Sequence, residues 1–158
     1  MPRLFCAISR CALTLIGSGA LWADDPLIGT WKLNLGESKF TSMPVPKSTT
    51  RRYAPHPDGI EVTTTTVPQK GPPTTFVYVV NPDGEEHPVT GNPNVDFFVL
   101  RRVDAFTAEG TLFSYGKVRG TVLRIISPDG RTMSIALQWT DYKGKIFQQT
   151  TVFNKEKP

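Results

Sequence analysis

The sequence has few of the residues on which most hydrolases and metal proteins depend. Its cysteines are Cys6 and Cys11, and its histidines are His56 and His87. It contains no Gly-x-Ser-x-Gly or His-x-x-x-His motif, and neither cysteine follows the Leu-x-x-Cys pattern of a lipoprotein anchor. These absences exclude a cysteine nucleophile downstream of residue 11 and leave little material for acid-base chemistry.

Long hydrophobic runs are also absent, and the apolar stretch at 11–17 is too short to span a bilayer. It follows Arg3 and Arg10 and precedes small residues, which predicts a secretory signal peptide. Cleavage after Ala20 fits the small-x-small rule, whereas cleavage after Ala23 leaves an acidic start. We take 1–23 as the signal peptide and 24–158 as one barrel domain, free of cysteine and located in the periplasm or outside the cell.

No charge of one sign dominates the chain. The formal net charge of +4 falls to +2 once Arg3 and Arg10 are removed with the signal peptide. The basic doublets are Arg51-Arg52 and Arg101-Arg102, and adjacent residues of a strand point to opposite faces. This distribution argues against a dedicated nucleic-acid binder.

The rest of the chain reads as β-strands separated by turns. Pro-Asp-Gly occurs at 57–59, 82–84 and 128–130, a composition that favours turns, and no segment has a sustained helical period beyond one possible turn at 36–40. Runs rich in Val, Ile, Thr, Phe and Tyr predict strands at about 28–35, 48–54, 59–67, 74–81, 95–104, 106–115, 117–127, 131–140 and 145–154. We predict an all-β fold, a single antiparallel up-and-down barrel of about 8–9 strands, with a two-sheet sandwich as the alternative.

Two proline-containing connections, 41–47 and 85–94, are predicted to be loops, because proline cannot donate to a strand ladder. Each is a candidate lid or rim of the barrel, or a plain spacer.

The first predicted strand carries a family resemblance. Ile28-Gly29-Thr30-Trp31-Lys32-Leu33 resembles the Gly-x-Trp opening of the lipocalin and fatty-acid-binding-protein superfamily. The resemblance implies a calycin-type barrel in which Gly29 permits a close backbone approach and Trp31 plugs the closed end. This role is structural, so the motif indicates fold more than ligand.

The end of the chain departs from the fatty-acid-binding pattern. The closing strand of that family reads Thr-Arg-Val-Tyr, with the Arg and Tyr holding a ligand carboxylate, whereas this chain has Thr151 and Phe153 at those places. The pair of helices that covers those barrels is missing as well. A closer resemblance is to small exported bacterial lipocalin-like proteins, which share Gly-Thr-Trp-Lys-Leu-Asn, Ser-Lys-Phe and a mid-chain Pro-Val-Thr-Gly-Asn-Pro like residues 88–93. It spans residues 25 to about 153 and implies fold and compartment without a chemistry.

The predicted function is a non-enzymatic carrier that holds a small apolar or amphipathic molecule inside the barrel. Arg124 is the candidate polar anchor if its strand face points inward; if it points outward, Arg119, Thr121, Leu123 and Ile125 are inside instead. The candidate lining residues are Phe76, Tyr78, Arg124, Met133, Ile135, Leu137 and Trp139. We expect no catalytic residue, metal, cofactor, nucleic acid or stable membrane insertion, and we expect a monomer.

Two other functions stay open. A barrel filled by its own side chains, together with an exposed apolar patch, would favour a module whose outer face or loops contact another envelope protein or a glycan. An enzyme, or a haem or metal binder, would use His56 or His87, the latter beside Glu85 and Glu86.

Overall fold

The computed structural model describes residues 25–92 and 94–157. The predicted signal peptide, 1–23, with both cysteines and both cleavage positions, lies outside the described residues. Within them the chain forms ten strands: β1 Gly29–Thr41, β2 Ser48–His56, β3 Gly59–Val67, β4 Thr74–Val80, β5 Asp83–Pro88, β6 Phe97–Arg102, β7 Thr107–Ser114, β8 Lys117–Ile126, β9 Thr132–Thr140 and β10 Ile146–Lys155. The described part of the chain holds no helix long and apolar enough to cross a membrane.

The ten strands form one sheet in the order β4-β3-β2-β1-β10-β9-β8-β7-β6-β5. Every neighbouring pair is antiparallel. The first strand pairs with the last, which joins the two halves of the chain and leaves β4 and β5 as the two edges. The sheet curls into a nearly closed barrel, so the predicted antiparallel barrel is confirmed and the two-sheet sandwich is not formed.

Alternate connections of such a meander lie at the same end of the barrel. We call the end with segment 25–28 and connections 57–58, 81–82, 103–106 and 127–131 the closed end. We call the opposite end, with connections 42–47, 68–73, 89–96, 115–116 and 141–145, the open end. All three Pro-Asp-Gly sequences lie at the closed end.

The strand count differs from the predicted 8–9 because of β5, Asp83–Pro88. Its sequence, DGEEHP, has no apolar alternation, and it pairs with β6 at the edge of the sheet. Pro88 ends this strand, and an edge is where proline is tolerated in a sheet, because one side of the strand needs no ladder hydrogen bonds. The prediction of a loop over 85–94 was therefore wrong for 85–88.

The helical turn allowed at 36–40 is not formed, because β1 continues to Thr41. The pairing of β1 with β10 shifts between Asn34 and Lys39, where the strand bulges. Ser38 stabilises the bulge: its hydroxyl donates to the carbonyl of Asn34 (2.6 Å) and accepts from the N–H of Val152 (2.9 Å). The polar side chain thus satisfies backbone groups that the ladder leaves unpaired.

The hydrophobic core lies toward the closed end. Burial follows the two-residue period of the strands, so that Met133 and Ile135 of β9 point inward while Ala136 and Gln138 face solvent. The largest side chains with almost no exposure are Trp31, Phe153, Leu27, Ile60, Met133 and Val62.

Candidate functional site

The barrel interior is not filled: a cavity of about 350 Å³ lies above the core. Six of the seven candidate lining residues line it, namely Phe76, Tyr78, Arg124, Ile135, Leu137 and Trp139. Met133 does not, because it lies at the closed end of β9 with 0 % of its surface exposed. The strand pattern shows which face of the sheet a residue is on, but not how far along the barrel axis it lies. Met133 therefore belongs to the core below the cavity.

The floor below the cavity is held by Trp31 and its neighbours. The indole N–H of Trp31 donates to the carbonyl of Leu27 (2.8 Å). The ammonium of Lys155 lies 5.1 Å from the centre of the indole ring and donates to the carbonyl of Pro26 (2.8 Å). At Gly29, whose φ is +132°, an added Cβ would come within 2.8 Å of the Lys155 side chain. Glycine and tryptophan therefore act together to seal this end.

Arg124 points into the barrel, which answers the question that its strand pattern left open. Its side chain is 9 % exposed, whereas Leu123 and Ile125 on the outer face are 40 % and 44 % exposed. Its guanidinium lies 5.9 Å from the ring centre of Tyr53, and its buried Nε has no hydrogen-bond partner. Burial lowers the pKa of Arg124, and the charges of Arg102 and Arg51 lower it further, while Tyr53 and Asp25 oppose them.

A second arginine, Arg51 of β2, also lines the cavity. Its Nη1 donates to the hydroxyl of Tyr53 (3.2 Å), and its guanidinium lies 5.7 Å from the ring centre of Phe153. Burial opposes its charge, but the oxygens of Tyr53 and Tyr78 outweigh burial and raise the pKa of Arg51. For Tyr78 itself burial dominates and raises the pKa, while the charges of Arg51 and Arg124 work in the opposite direction.

Sequence reasoning missed Arg51 because the Arg51-Arg52 doublet was considered only as a possible nucleic-acid-binding patch, and which of the two arginines points inward was not asked. The signal that would have found it is the alternation in Ser48–His56, where Tyr53 is buried and Arg52 is exposed. A residue two positions before a buried tyrosine shares its face.

Three polar atoms of this region are buried without a hydrogen-bond partner: Arg51 Nε, Arg124 Nε and Thr64 Oγ1. Thr64 stands directly opposite Arg51 in the β2–β3 ladder. Buried polar groups are almost always paired in proteins, so these atoms are suited to accept a partner from water or from a bound molecule. Two N–H donors on permanently charged groups suit an acceptor that carries negative charge.

The closing strand contributes differently from the fatty-acid-binding pattern. Thr151 lines the cavity, and its hydroxyl donates to the carbonyl of Ile135 (3.3 Å). Phe153 presents its ring to Arg51 from below. The two cations that face the cavity thus come from β2 and β8, and β10 supplies neutral support.

Both predicted loops contribute to the cavity wall. Met43 of 42–47 lines it, and so do Val89, Asn92, Asn94 and Val95 from the connection after β5. That connection approaches the free edge of β4, where a Cβ added to Gly91 would lie 3.0 Å from the carbonyl oxygen of Val77. The gap between the two sheet edges is thereby partly walled by a loop instead of a ladder.

A larger concavity of about 700 Å³ lies mainly against the outward residues of β6–β10 and is less suited to a ligand. Its polar side chains pair with one another, as Gln148 Nε2 does with Gln138 Oε1 (2.8 Å) and Arg101 does with Glu109. None of the buried unpaired atoms belongs to it. The interior cavity is therefore the better candidate site, despite its smaller volume.

The histidines take no part in this cavity. His56 Nδ1 accepts from the N–H of Asp58 (3.2 Å) in the turn after β2, and His87 Nε2 lies 2.9 Å from Asp83 on the edge strand. Burial works against the charge of Asp83, but bonds from Glu85 N–H and His87 outweigh it and lower its pKa. Residues 25–92 and 94–157 contain no cluster of three or more His, Cys, Asp or Glu side chains arranged to hold a metal.

Comparison with known proteins gives likeness of fold and not of sequence. No protein-family model and no curated protein matches the chain. Among solved structures, a Schistosoma mansoni fatty acid binding protein in complex with arachidonic acid is similar at a TM-score of 0.52 and 14% identity, over 84% of this chain and 97% of that one. A zebrafish ileal bile acid-binding protein complexed with cholic acid is similar at 0.50 and 11%, over 83% and 99%. The chain thus shares the overall barrel fold of these two proteins.

Proposed function

We propose that this protein binds a small amphipathic acid inside the barrel. The acidic group contacts Arg51 and Arg124 near the floor, and the apolar part lies against Phe76, Leu137 and Trp139 toward the open end. The observation that carries the proposal is a pair of arginines with buried, unpaired Nε atoms in an otherwise mainly apolar cavity. A bound carboxylate could accept hydrogen bonds from both and would offset one of their two positive charges.

Two barrels of the same fold lend support, since their ligands, arachidonic acid and cholic acid, are both amphipathic acids. The likeness in sequence is too low to transfer a ligand, so the class rests on the arginines. We further propose that this carrier acts as a monomer and is exported to the periplasm or outside the cell; the export part rests on the sequence of residues 1–23. The proposal assigns no reaction.

The test compares laurate with dodecanol, which differ in their headgroups, by isothermal titration calorimetry on the purified protein. Replacing one arginine, as Arg51→Met or Arg124→Met, should weaken laurate binding about 10- to 100-fold, the value of a hydrogen bond to a charged group. Dodecanol binding should change little. The matched control is Arg52→Met, the exposed neighbour of Arg51, which should leave both affinities unchanged.

The urea midpoint of each empty variant separates binding from folding. Replacing a buried charge that has no carboxylate partner by an apolar side chain of similar length should be neutral or stabilising, so a loss of binding would not reflect misfolding. Laurate affinity unchanged in both interior variants would contradict the proposed headgroup site. Failure of both ligands to bind the native protein would contradict the carrier.

A further inference from the structure

Two neighbouring turns at the open end expose unusually large side chains. Tyr115 lies in the β7–β8 turn and is 84 % exposed, and Val118 follows that turn at 60 %. Tyr142 lies in the β9–β10 turn and is 79 % exposed, and Ile146 follows that turn at 53 %. These are the four highest exposures among the large hydrophobic residues that the structure describes. The turns belong to adjacent hairpins, since β8 pairs with β9 and Arg119 Nη1 donates to the carbonyl of Asp141 (3.3 Å).

Tyr115 occupies a position that disfavours it. Its φ is +51°, a left-handed conformation that tight hairpin turns usually give to asparagine or glycine. Asp96 holds the turn by accepting the N–H of Tyr115. Retaining a tyrosine there costs stability and places an aromatic ring in water, and strain of this kind is concentrated at functional positions.

The same turns are basic. Lys117, Lys143 and Lys145 are exposed, and the ammonium groups of the last two lie 5.6 Å from the ring centre of Tyr142 and 4.8 Å from that of Phe147. The nearby carboxylates serve the turn backbones: Asp141 accepts from the N–H groups of Lys143 and Lys145, and Asp96 from that of Tyr115. The three ammonium groups have no salt bridge within the described part of the chain.

From this combination we propose that the two turns dock the open end onto an anionic membrane surface. Tyrosine prefers the boundary between water and lipid, where its ring is apolar and its hydroxyl is solvated. Lysine ammonium groups are attracted by acidic headgroups while their stems cover apolar surface. Aromatic and aliphatic tips with lysines around them match both features of such an interface. The contact is peripheral, since no strand leaves the barrel.

The docking face, defined as Tyr115, Lys117, Val118, Tyr142, Lys143, Lys145 and Ile146, contributes no residue to the interior cavity. It lies at the open end, where the cavity wall is mainly apolar, so docking would bring the mouth of the barrel to the lipid. The inference goes beyond ligand binding and stands independently of it, because membrane docking can be measured without a ligand in the cavity.

The experiment is co-sedimentation of ligand-free protein with vesicles of phosphatidylcholine alone or mixed with phosphatidylglycerol. The native protein should bind the mixed vesicles in low salt, bind the neutral vesicles weakly, and lose affinity as salt is raised. Removing the lysines together, as K117Q/K143Q/K145Q, should weaken binding about 100-fold, which corresponds to about fivefold for each lysine near an anionic surface. The control R52Q/R131Q/K157Q removes three exposed charges elsewhere and should retain most of the affinity.

Tyrosine variants separate docking from stability. Tyr115→Asn suits the left-handed turn and should raise the urea midpoint, yet together with Tyr142→Ser it should weaken vesicle binding. Laurate affinity in solution should be the same in all these variants. Equal losses in the lysine variant and its control, equal binding to neutral vesicles, or no vesicle binding by the native protein would each overturn the proposal.

Discussion

The two ends of this barrel differ in what they bury and what they expose. At the closed end, Trp31 and Leu27 are buried, Lys155 donates to a backbone carbonyl, and Asp25 pairs with Arg102. At the open end, the most prominent side chains are the exposed rings of Tyr115 and Tyr142. The named polar groups of the closed end pair within the chain, whereas apolar and charged groups of the open end are exposed to solvent.

Charge and loop length follow the same division. Acidic residues predominate in the closed-end connections and their flanks, with Asp58, Asp83, Asp104 and Asp129 beside Arg131. Lysines predominate at the open end, with Lys47, Lys70, Lys117, Lys143 and Lys145 beside Asp96 and Asp141. The three longest connections, 42–47, 68–73 and 89–96, all lie at the open end. The buried core and the most exposed apolar side chains thus lie at opposite ends of the barrel axis, with the two arginines between them.

The largest expected effect tests the closed end as the source of stability. Trp31→Ala should lower the free energy of unfolding by about 3–5 kcal/mol, because it empties a fully buried site and removes the partner of the Leu27 carbonyl. Tyr142→Ala, an aromatic deletion at the open end, should stay within about 0.5 kcal/mol. Urea unfolding followed by far-ultraviolet circular dichroism measures both. Similar shifts in the two variants would refute the division.

A matched pair of turn glycines gives the next effect. Gly59, at the closed end with φ of +140°, has no room for a Cβ, which would overlap the carbonyl oxygen of Val80. Gly116, at the open end with φ of +67°, has no atom within 4 Å of that position. Gly59→Ala should therefore cost about 3 kcal/mol and Gly116→Ala about 1 kcal/mol, the latter for left-handed backbone alone. Equal urea midpoints for the two variants would show that packing at the closed-end turn contributes nothing.

Much of this division could be predicted from sequence, because turns and strand faces are local features. Residue composition predicts the three Pro-Asp-Gly turns, and the two-residue alternation of apolar residues predicts that Met133 to Trp139 share one face. The strand β5 could not be predicted, since an edge strand such as DGEEHP needs no apolar face and only its pairing with β6 identifies it.

The arginine cluster was beyond reach for another reason. Arg51 and Arg124 are far apart in the chain, and they meet because the pairing of β1 with β10 closes the barrel. A single sequence shows which residues share a strand face, but which faces converge on one cavity depends on closure and register. Thr151 and Phe153 stand where the fatty-acid-binding pattern has Arg and Tyr, and the cations of this cavity lie on β2 and β8. The strand pattern alone left the facing of Arg124 undecided.

The smallest effect is acid sensitivity at the closed end. A hydrogen bond from the N–H of Phe106 is the largest cause that lowers the pKa of Asp104. For Asp129 the largest cause that lowers the pKa is a hydrogen bond from the hydroxyl of Ser127. A carboxyl whose pKa is lower in the folded chain stabilises it above the unfolded value of about 3.9, and that contribution is lost as pH falls through the folded pKa. Carboxyl NMR titration should give both groups midpoints below 3.9. The variant D104N/D129N should then lose less stability than the native protein between pH 5 and pH 2.5. Raising the salt concentration should change this difference little, because hydrogen bonds within a turn are not screened as distant charges are. If the variant and the native protein lost equal stability between pH 5 and pH 2.5, the carboxylates of these two turns would not contribute to the stability of the closed end.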